Sequence, residues 1–323
     1  MLSNNKKLIA VIGATGQQGG GVLRALQARG QFKVRALTRN PDKHRELAEE
    51  VVEGDLDKPE TLKAAFEGAH GVFLVTNFRE EGTDELKQAT AAIRAAKDAG
   101  VKHFIWSTLP DVEAISGGKF NVPHFTGKAK IDRVVKDGGF ENYTFVIAPF
   151  YYQNLAGALA PQKQADGSMG WALPLDPTLR VIHMGDINEL GNIVAGAFAH
   201  PDEAGNGQYL PLVGDFMSLN EIVETLNRQG HNFSYKQVPK GKLRWFLSWS
   251  NRNCRDVQLL GSPYLSGFGF VRSNCSRKQN SRPGTDSVCD LGFGEFPQTA
   301  QRHWRGITLK LTRLLKPSKG NAK

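Results

Sequence analysis

The chain has 323 residues, 40% of them hydrophobic and 23% charged, with a formal net charge of +9. This is the balance of an ordinary globular protein with a sizeable core, built as one large α/β domain with a smaller lobe or as two domains. The charge is not spread: residues 241–323 carry 15 Lys and Arg against 4 Asp and Glu, residues 1–240 carry 26 against 28, and all three cysteines (Cys254, Cys275, Cys289) fall in the later segment.

Three irregularly spaced cysteines exclude a disulfide framework and a zinc site, so no metal is expected. A near-neutral body argues against direct nucleic-acid binding, and a basic tail without a reading helix adds nothing to it. No run of about 18 apolar residues appears, and Met1–Lys7 lacks the apolar region of a signal peptide. The expectation is a cytoplasmic protein without a membrane span, with the nucleus as the other compartment.

In chain order, short β-branched runs alternate with helical patterns, as in a parallel sheet covered on both faces. Leu8–Ile12 predicts the first strand, Gly16 to Arg29 an amphipathic helix, and Phe32–Thr38 the second strand. Pro41–Glu50 has the polarity of a short surface helix, and Val51–Glu53 reads as a third strand. Lys58–Glu67 is a helix, Gly71–Val75 strand four, Glu85–Ala99 a long helix, Lys102–Ser107 strand five, Phe125–Lys136 a helix and Tyr143–Ala148 strand six. Six strands with crossovers give the doubly wound order.

From Tyr151 the rhythm changes. Short strand-like segments at Gly170–Pro174, Arg180–Gly185 and Gln208–Val213 mix with helices near Asn188–Ala199 and Leu219–Gly230. The expected architecture is α/β: a Rossmann-type doubly wound parallel sheet over residues 1–150, with a smaller α+β substrate or partner lobe over 151–240 at its carboxyl edge. From Gly241 no period of 2 or 3.6 persists until a short basic stretch near Leu309–Leu315.

Between strand one and the first helix lies Gly13-Ala14-Thr15-Gly16-Gln17-Gln18-Gly19. A glycine turn in this place brings the backbone close to a pyrophosphate, and the helix N-terminus behind it offers N–H groups and a positive dipole end. Gly13 would make the turn, Gly16 the close phosphate approach and Gly19 the helix-to-strand packing. The expected ligand is a dinucleotide.

Its kind is read at the end of strand two, where an acid would accept from the ribose 2′-OH of NAD(H). Thr38-Arg39-Asn40-Pro41-Asp42-Lys43 stands there instead. A guanidinium makes charge-assisted bonds to a 2′-phosphate, so Arg39, with Lys43 nearby, favours NADP(H) over NAD(H); the alternative is a solvated surface arginine. Asp55 and Leu56 would flank the adenine, Asp55 serving equally as a loop cap. Thr76-Asn77-Phe78 and Ser107–Pro110 occupy strand carboxyl ends, where open α/β sheets bind ligands.

The segments GATGQQGG, TRNPDK, GDLDKPETLKAAFEGAHGVFLVTNF, PHFTGKAKID and APFYYQNL together resemble the NmrA-like family of atypical short-chain dehydrogenase/reductases, over residues 6–240. The resemblance implies a Rossmann fold, binding of NADP(H) or NAD(P), and for several members a redox-sensing or regulatory role in place of turnover. Other members and near relatives resemble quinone or isoflavone-type reductases. Ordinary enzymes of that superfamily use Tyr-xxx-Lys, in which the lysine lowers the tyrosine pKa and holds the ribose.

This chain has His124-Phe125-Thr126-Gly127-Lys128 at the matching place. The lysine is kept and the tyrosine is not. Lys128 would reach the nicotinamide ribose, and His124 is either an acid near neutral pH or a histidine that packs at the start of its helix. Tyr151, after Pro149, would lie beside the nicotinamide. The two functions that follow are a cofactor sensor acting through a regulatory protein partner, as monomer or homodimer, and an NADPH-dependent oxidoreductase of a quinone or small carbonyl.

Read one base later, degenerate codons for Trp249–Phe270 permit GAIEIAEMFSYWEAHTYLGSD, those for Asn274–Arg282 permit IALANKIAG, and those for Ser287–Phe296 permit FATWASANF. These peptides resemble the C-terminal helices of the same family. Residues 241–323 therefore read as frameshifted near Gly241, the alternative being a divergent, disordered basic tail.

Overall fold

The computed structural model describes residues 6–239. The reading of residues 241–323 lies outside them. By internal contact the described residues divide into two units: those up to Pro149 together with Ile187–Leu212, and Phe150–Asp186 together with residues 213–239.

The first unit opens with β1 (Leu8–Val11), a four-residue apolar run, and α1 (Gln17–Arg29). There follow β2 (Lys33–Thr38), β3 (Glu50–Glu53), α2 (Pro59–Phe66), β4 (Gly71–Leu74) and α3 (Glu85–Asp98). Then come β5 (His103–Thr108), the short α4 (Val112–Ile115), α5 (Pro123–Lys136) and β6 (Asn142–Ile147). β4 and β5 are buried along their whole length, as central strands of a sheet covered on both faces must be. Asp84 caps α3 by accepting from the Lys87 amide at 3.0 Å, and Pro123, which needs no amide partner, occupies the first turn of α5.

The second unit begins with β7 (Phe150–Tyr151), β8 (Gln162–Lys163), β9 (Met169–Leu173) and β10 (Ile182–Gly185). The chain then returns to the first unit for α6 (Leu190–Ala199), the short α7 (Pro201–Ala204) and β11 (Asn206–Pro211). The last described elements, β12 (Asp215–Met217), α8 (Leu219–Arg228) and β13 (Phe233–Gln237), lie in the second unit.

The main sheet has the order β11-β6-β5-β4-β1-β2-β3. Every pairing in it is parallel. The order reverses between β1 and β4, the switch point at whose carboxyl side ligands of such sheets bind. One core cluster fills a face of this sheet, with Phe66, Phe104, Trp106, Ile131 and Phe145 fully buried in it.

Three features differ from the pattern in the sequence. Pro41–Glu50 is not a helix: a single 3-10 turn spans Pro41–Lys43, and the chain reaches β3 by Glu50, which leaves no room for an amphipathic face. The sheet has a seventh strand, because Asn206–Pro211 pairs with β6 and stacks Tyr209 on Phe145 with ring centroids 4.5 Å apart. A single cut at residue 150 would also assign α6 to the smaller lobe, whereas α6 crosses α1 so closely that a Cβ on Gly191 would lie 2.2 Å from the Gly21 carbonyl oxygen. Local period does not record which partner a strand or helix will find.

Among the described residues the second unit holds two three-stranded sheets, β12-β10-β7 and β13-β9-β8. Tyr152, Trp171, Met184, Ile222, Leu226 and Phe233 form its core. Its helix α8 starts with a complete capping box between Ser218 and Glu221.

Candidate functional site

The glycine turn sits where β1 ends. Gly13 has φ +72°, the left-handed region, and a Cβ there would meet Val75 Cγ1 at 2.7 Å. Gly19 is tighter still, since its Cβ would lie 2.1 Å from the Gly13 carbonyl oxygen. Gly16 donates its amide to that same oxygen at 2.9 Å and is the N-cap of α1, with no side chain bonded across the cap and no acid in the first turn. The turn is thus a backbone cradle before a 13-residue helix whose N-cap, Gly16, makes no side-chain cap bond. That arrangement fits an anionic pyrophosphate.

Thr15 and Gln17 are exposed at the rim of this turn. Gln18 accepts a bond from the Ser107 hydroxyl at 2.7 Å, which ties the first turn of α1 to the end of β5.

At the end of β2 the Arg39 side chain is 62% exposed and bonds to the Glu80 carboxylate. Lys43 is exposed in the adjacent 3-10 turn. Asp55 behaves as a turn residue, its carboxylate accepting from the Asp57 amide at 3.0 Å, and Leu56 packs against the main core.

The carboxyl end of β4 is the most heavily bonded part of the site. Lys128 on α5 is buried, 5% exposed, and its ammonium reaches Thr76 O at 3.1 Å, Thr76 Oγ1 at 2.8 Å and Glu85 Oε1 at 2.7 Å. The Thr76 hydroxyl in turn donates to Glu85 Oε1 at 2.5 Å. An ammonium has three donors, and this ring engages all three. The lysine also lies over the Trp106 ring, 5.0 Å from its centroid. Burial lowers the Lys128 pKa, and the Glu85 carboxylate opposes that shift.

Phe78, 40% exposed, stacks on His124 with centroids 4.5 Å apart, and Phe125 meets the same imidazole edge-on at 4.9 Å. Burial pushes the His124 pKa below its ordinary value, helped by Lys128 and Arg79 and opposed by Glu85. Burial therefore favours the neutral form of this packed imidazole. Asn77 closes the local turn by accepting from the Arg79 amide at 3.1 Å. Tyr151 belongs to the second unit, where it is half-buried and faces Gly185 in the pairing of β7 with β10.

Of the residues singled out in the sequence, the first unit brings Gly13, Gly16, Gly19, Gln18, Thr76 and Lys128 to the ends of β1, β4 and β5. Sequence reasoning missed Glu85, Glu80 and Asp132. Asp132 lies one turn beyond Lys128 and accepts from Trp106 Nε1 at 3.1 Å and from the Tyr209 hydroxyl at 2.9 Å. A helix-start glutamate nine residues after Thr76 carries no pattern of its own, so only the fold reveals it. Among the described residues no cluster of His, Cys, Asp and Glu could hold a metal, and no helix is long and apolar enough to cross a membrane.

A nucleotide-type α/β unit with this glycine turn has known counterparts. The model of the NmrA-like family matches residues 5–248. An NmrA-like family domain-containing oxidoreductase, FrzB of Cladobotryum sp., is 34% identical over 88% of this chain and 90% of its own. An NmrA-like family domain-containing protein of Dictyostelium discoideum is 33% identical over 69% of this chain and 77% of its own. The solved structure of NmrA, a negative transcriptional regulator in complex with NADP, is similar with TM-score 0.64 and 26% identity, covering 73% of this chain and 75% of that one. The same regulator solved with NAD is similar at TM-score 0.64 and 27% identity, over 73% of this chain and 75% of that one. The chain belongs to the NmrA-like family.

Proposed function

We propose that the chain binds NADP(H) through the Gly13–Gly19 turn and Arg39, and acts as a cofactor-responsive regulator in the cytoplasm or nucleus through a protein partner. The observation that carries the regulatory half is the closed ring of Lys128, Thr76 and Glu85. A lysine whose three donors are engaged by its own protein, beside a histidine stacked on Phe78 and met edge-on by Phe125, gives a site without a ready proton donor. Lys128 reaches a ribose only by giving up a partner in this ring. The family's regulator solved with both NADP and NAD supports the same reading. Such a cofactor would supply hydride chemistry when bound. The residues of this chain hold and orient it.

A second reading, an NADPH-dependent reductase of a quinone or small carbonyl, is favoured by the relatives named oxidoreductases, of which FrzB aligns over 88% of this chain. In it His124 or a substrate-bound water passes the proton. One experiment separates the two: calorimetric titration of the full chain with NADPH and NADH, followed by mixing with quinones and aldehydes while nicotinamide absorbance is read. The expected result is binding without turnover. Arg39→Ala should weaken NADPH binding roughly tenfold or more and leave NADH nearly unchanged, the loss of a charge-assisted bond. Turnover well above background would replace the regulator by the reductase, and an unmoved preference in Arg39→Ala would remove Arg39 from the cofactor site.

A further inference from the structure

Arg39 follows β2 directly, the place from which a guanidinium meets an adenosine 2′-phosphate. In this structure its Nη1 already donates to an anion, the carboxylate of Glu80, forty-one residues further along the chain. The charges of Asp55 and Asp57, beyond β3, act on the same guanidinium. A phosphate arriving at Arg39 therefore meets the field of three carboxylates, of which Glu80 alone occupies the guanidinium.

Glu80 is not on a free arm. Its amide donates to Asn77 O at 3.4 Å, and Asn77 Oδ1 holds the Arg79 amide at 3.1 Å, so residues 77–80 form one small turn. The same turn carries Phe78, stacked on His124, and Arg79, whose guanidinium lies 5.4 Å from the Phe78 ring centroid. One four-residue turn thus bonds to the residue after β2 on one side and stacks on the start of α5 on the other.

We propose that Glu80 is a built-in stand-in for the 2′-phosphate: it holds Arg39 until NADP(H) displaces it, whereas NAD(H) leaves the pair closed. This rests on the NADP(H) reading of Arg39. The guanidinium fork serves one anion well, and a phosphate carrying nearly two charges repels the carboxylate it displaces. A ribose 2′-OH brings no charge and can instead donate to Glu80, as riboses of NAD do to acids near this place. Binding of the phosphorylated dinucleotide therefore frees the 77–80 turn and loosens Phe78 on His124; binding of the other does not. The turn becomes the element that tells the two dinucleotides apart.

The test uses the full chain and Glu80→Gln, an exposed and nearly isosteric change. Calorimetry should show NADPH binding tightened roughly fivefold and NADH binding moved less than about twofold, the scale of one exposed charge pair and its repulsion. Asp57→Asn, which removes a nearby charge that does not bond Arg39, should shift NADPH by less than about twofold. Hydrogen exchange supplies a second readout: in the wild type, amides of residues 77–84 should exchange faster with NADPH than with NADH, and in Glu80→Gln the two should match. An unmoved NADPH-to-NADH ratio in Glu80→Gln, with the Arg39→Ala effect intact, overturns the role of Glu80 and leaves the cofactor reading standing. Equal exchange for both dinucleotides in the wild type overturns the coupling to the turn. A wild type that binds neither dinucleotide overturns both readings together.

Discussion

The glycine turn after β1 and the lysine ring at the end of β4 sit at neighbouring strand ends of one sheet, yet they are built from opposite materials. The turn is backbone alone: a left-handed Gly13, a Gly16 amide bonded to the Gly13 carbonyl, and a Gly19 with no room for a side chain. The ring is built mainly of side chains, a buried ammonium, a carboxylate and a hydroxyl that satisfy one another, with the Thr76 carbonyl taking the third ammonium donor. The first ends in a glycine N-cap that has no side chain to close the helix end, and so invites a ligand. The second is self-sufficient, and a ligand must compete for it. Tight holding and ready chemistry are therefore separated within the same site.

If the turn is set by close approach, Gly19→Val should be the most damaging change in the first unit. Even the first added carbon would stand 2.1 Å from a backbone oxygen that no rotamer can move. The expected loss is about 5 kcal/mol or more, seen as failure to give a cooperative urea transition. Gly16→Ala, whose Cβ would lie 3.2 Å from the same oxygen, should cost only about 1 kcal/mol. Equal effects of the two would mean that packing at Gly19 does not define the turn.

Glu85→Ala tests the other half. It leaves the Lys128 ammonium buried without its counter-charge, which should cost about 3 kcal/mol in the urea midpoint. Replacing both, Lys128→Met with Glu85→Leu, should recover most of that loss, because the uncompensated charge goes with its partner. A single variant within about 0.5 kcal/mol of wild type would make the ring a surface contact and withdraw its claim on the lysine.

The same contrast governs what the sequence could tell. Glycines at fixed spacing between an apolar strand and a helix are a pattern because the backbone itself demands them, so Gly13, Gly16 and Gly19 were legible. Most strands from β1 to β6 were legible for a related reason: β1, β4 and β5 bury nearly their whole length and β2 and β6 bury part of theirs, while β3 shows only two adjacent valines between glutamates. Glu85 was not, since a helix beginning with an acid after an Asp cap looks like ordinary dipole complementation. Glu80 in an acidic loop looks like a solvated charge. The seventh strand was misassigned because the pairing that recruits it is with β6, about sixty residues earlier in the chain, and no local period records so distant a partner. What the fold adds is which side chain meets which.

Acidity offers the gentlest way to act on one half alone, because the glycine turn contains no titratable group and the α5 network does. Asp132, which shares Trp106 with Lys128, is pushed up to about 6 by burial, against bonds from Thr108, Tyr209 and Trp106 and the charge of Lys136. Its folded value thus lies above its unfolded one near 3.9. Between these values the native state holds a proton that the unfolded state has released, so stability should fall as pH rises from about 4 to about 6 and stay lower above that. The size is on the order of 2 kcal/mol for a mostly buried group. His103 acts with the opposite sign: burial lowers it to about 3, so the unfolded state takes up a proton first and stability falls as pH drops below about 6.5. The two trends overlap, and the informative quantity is the difference between wild type and Asp132→Asn, in which the histidine cancels. That difference should grow from near zero at pH 4 in favour of the variant as pH approaches 6.5, read from urea midpoints in steps of half a unit. A flat difference across this window would mean that Asp132 stays ionised in the fold, its bonds outweighing its burial.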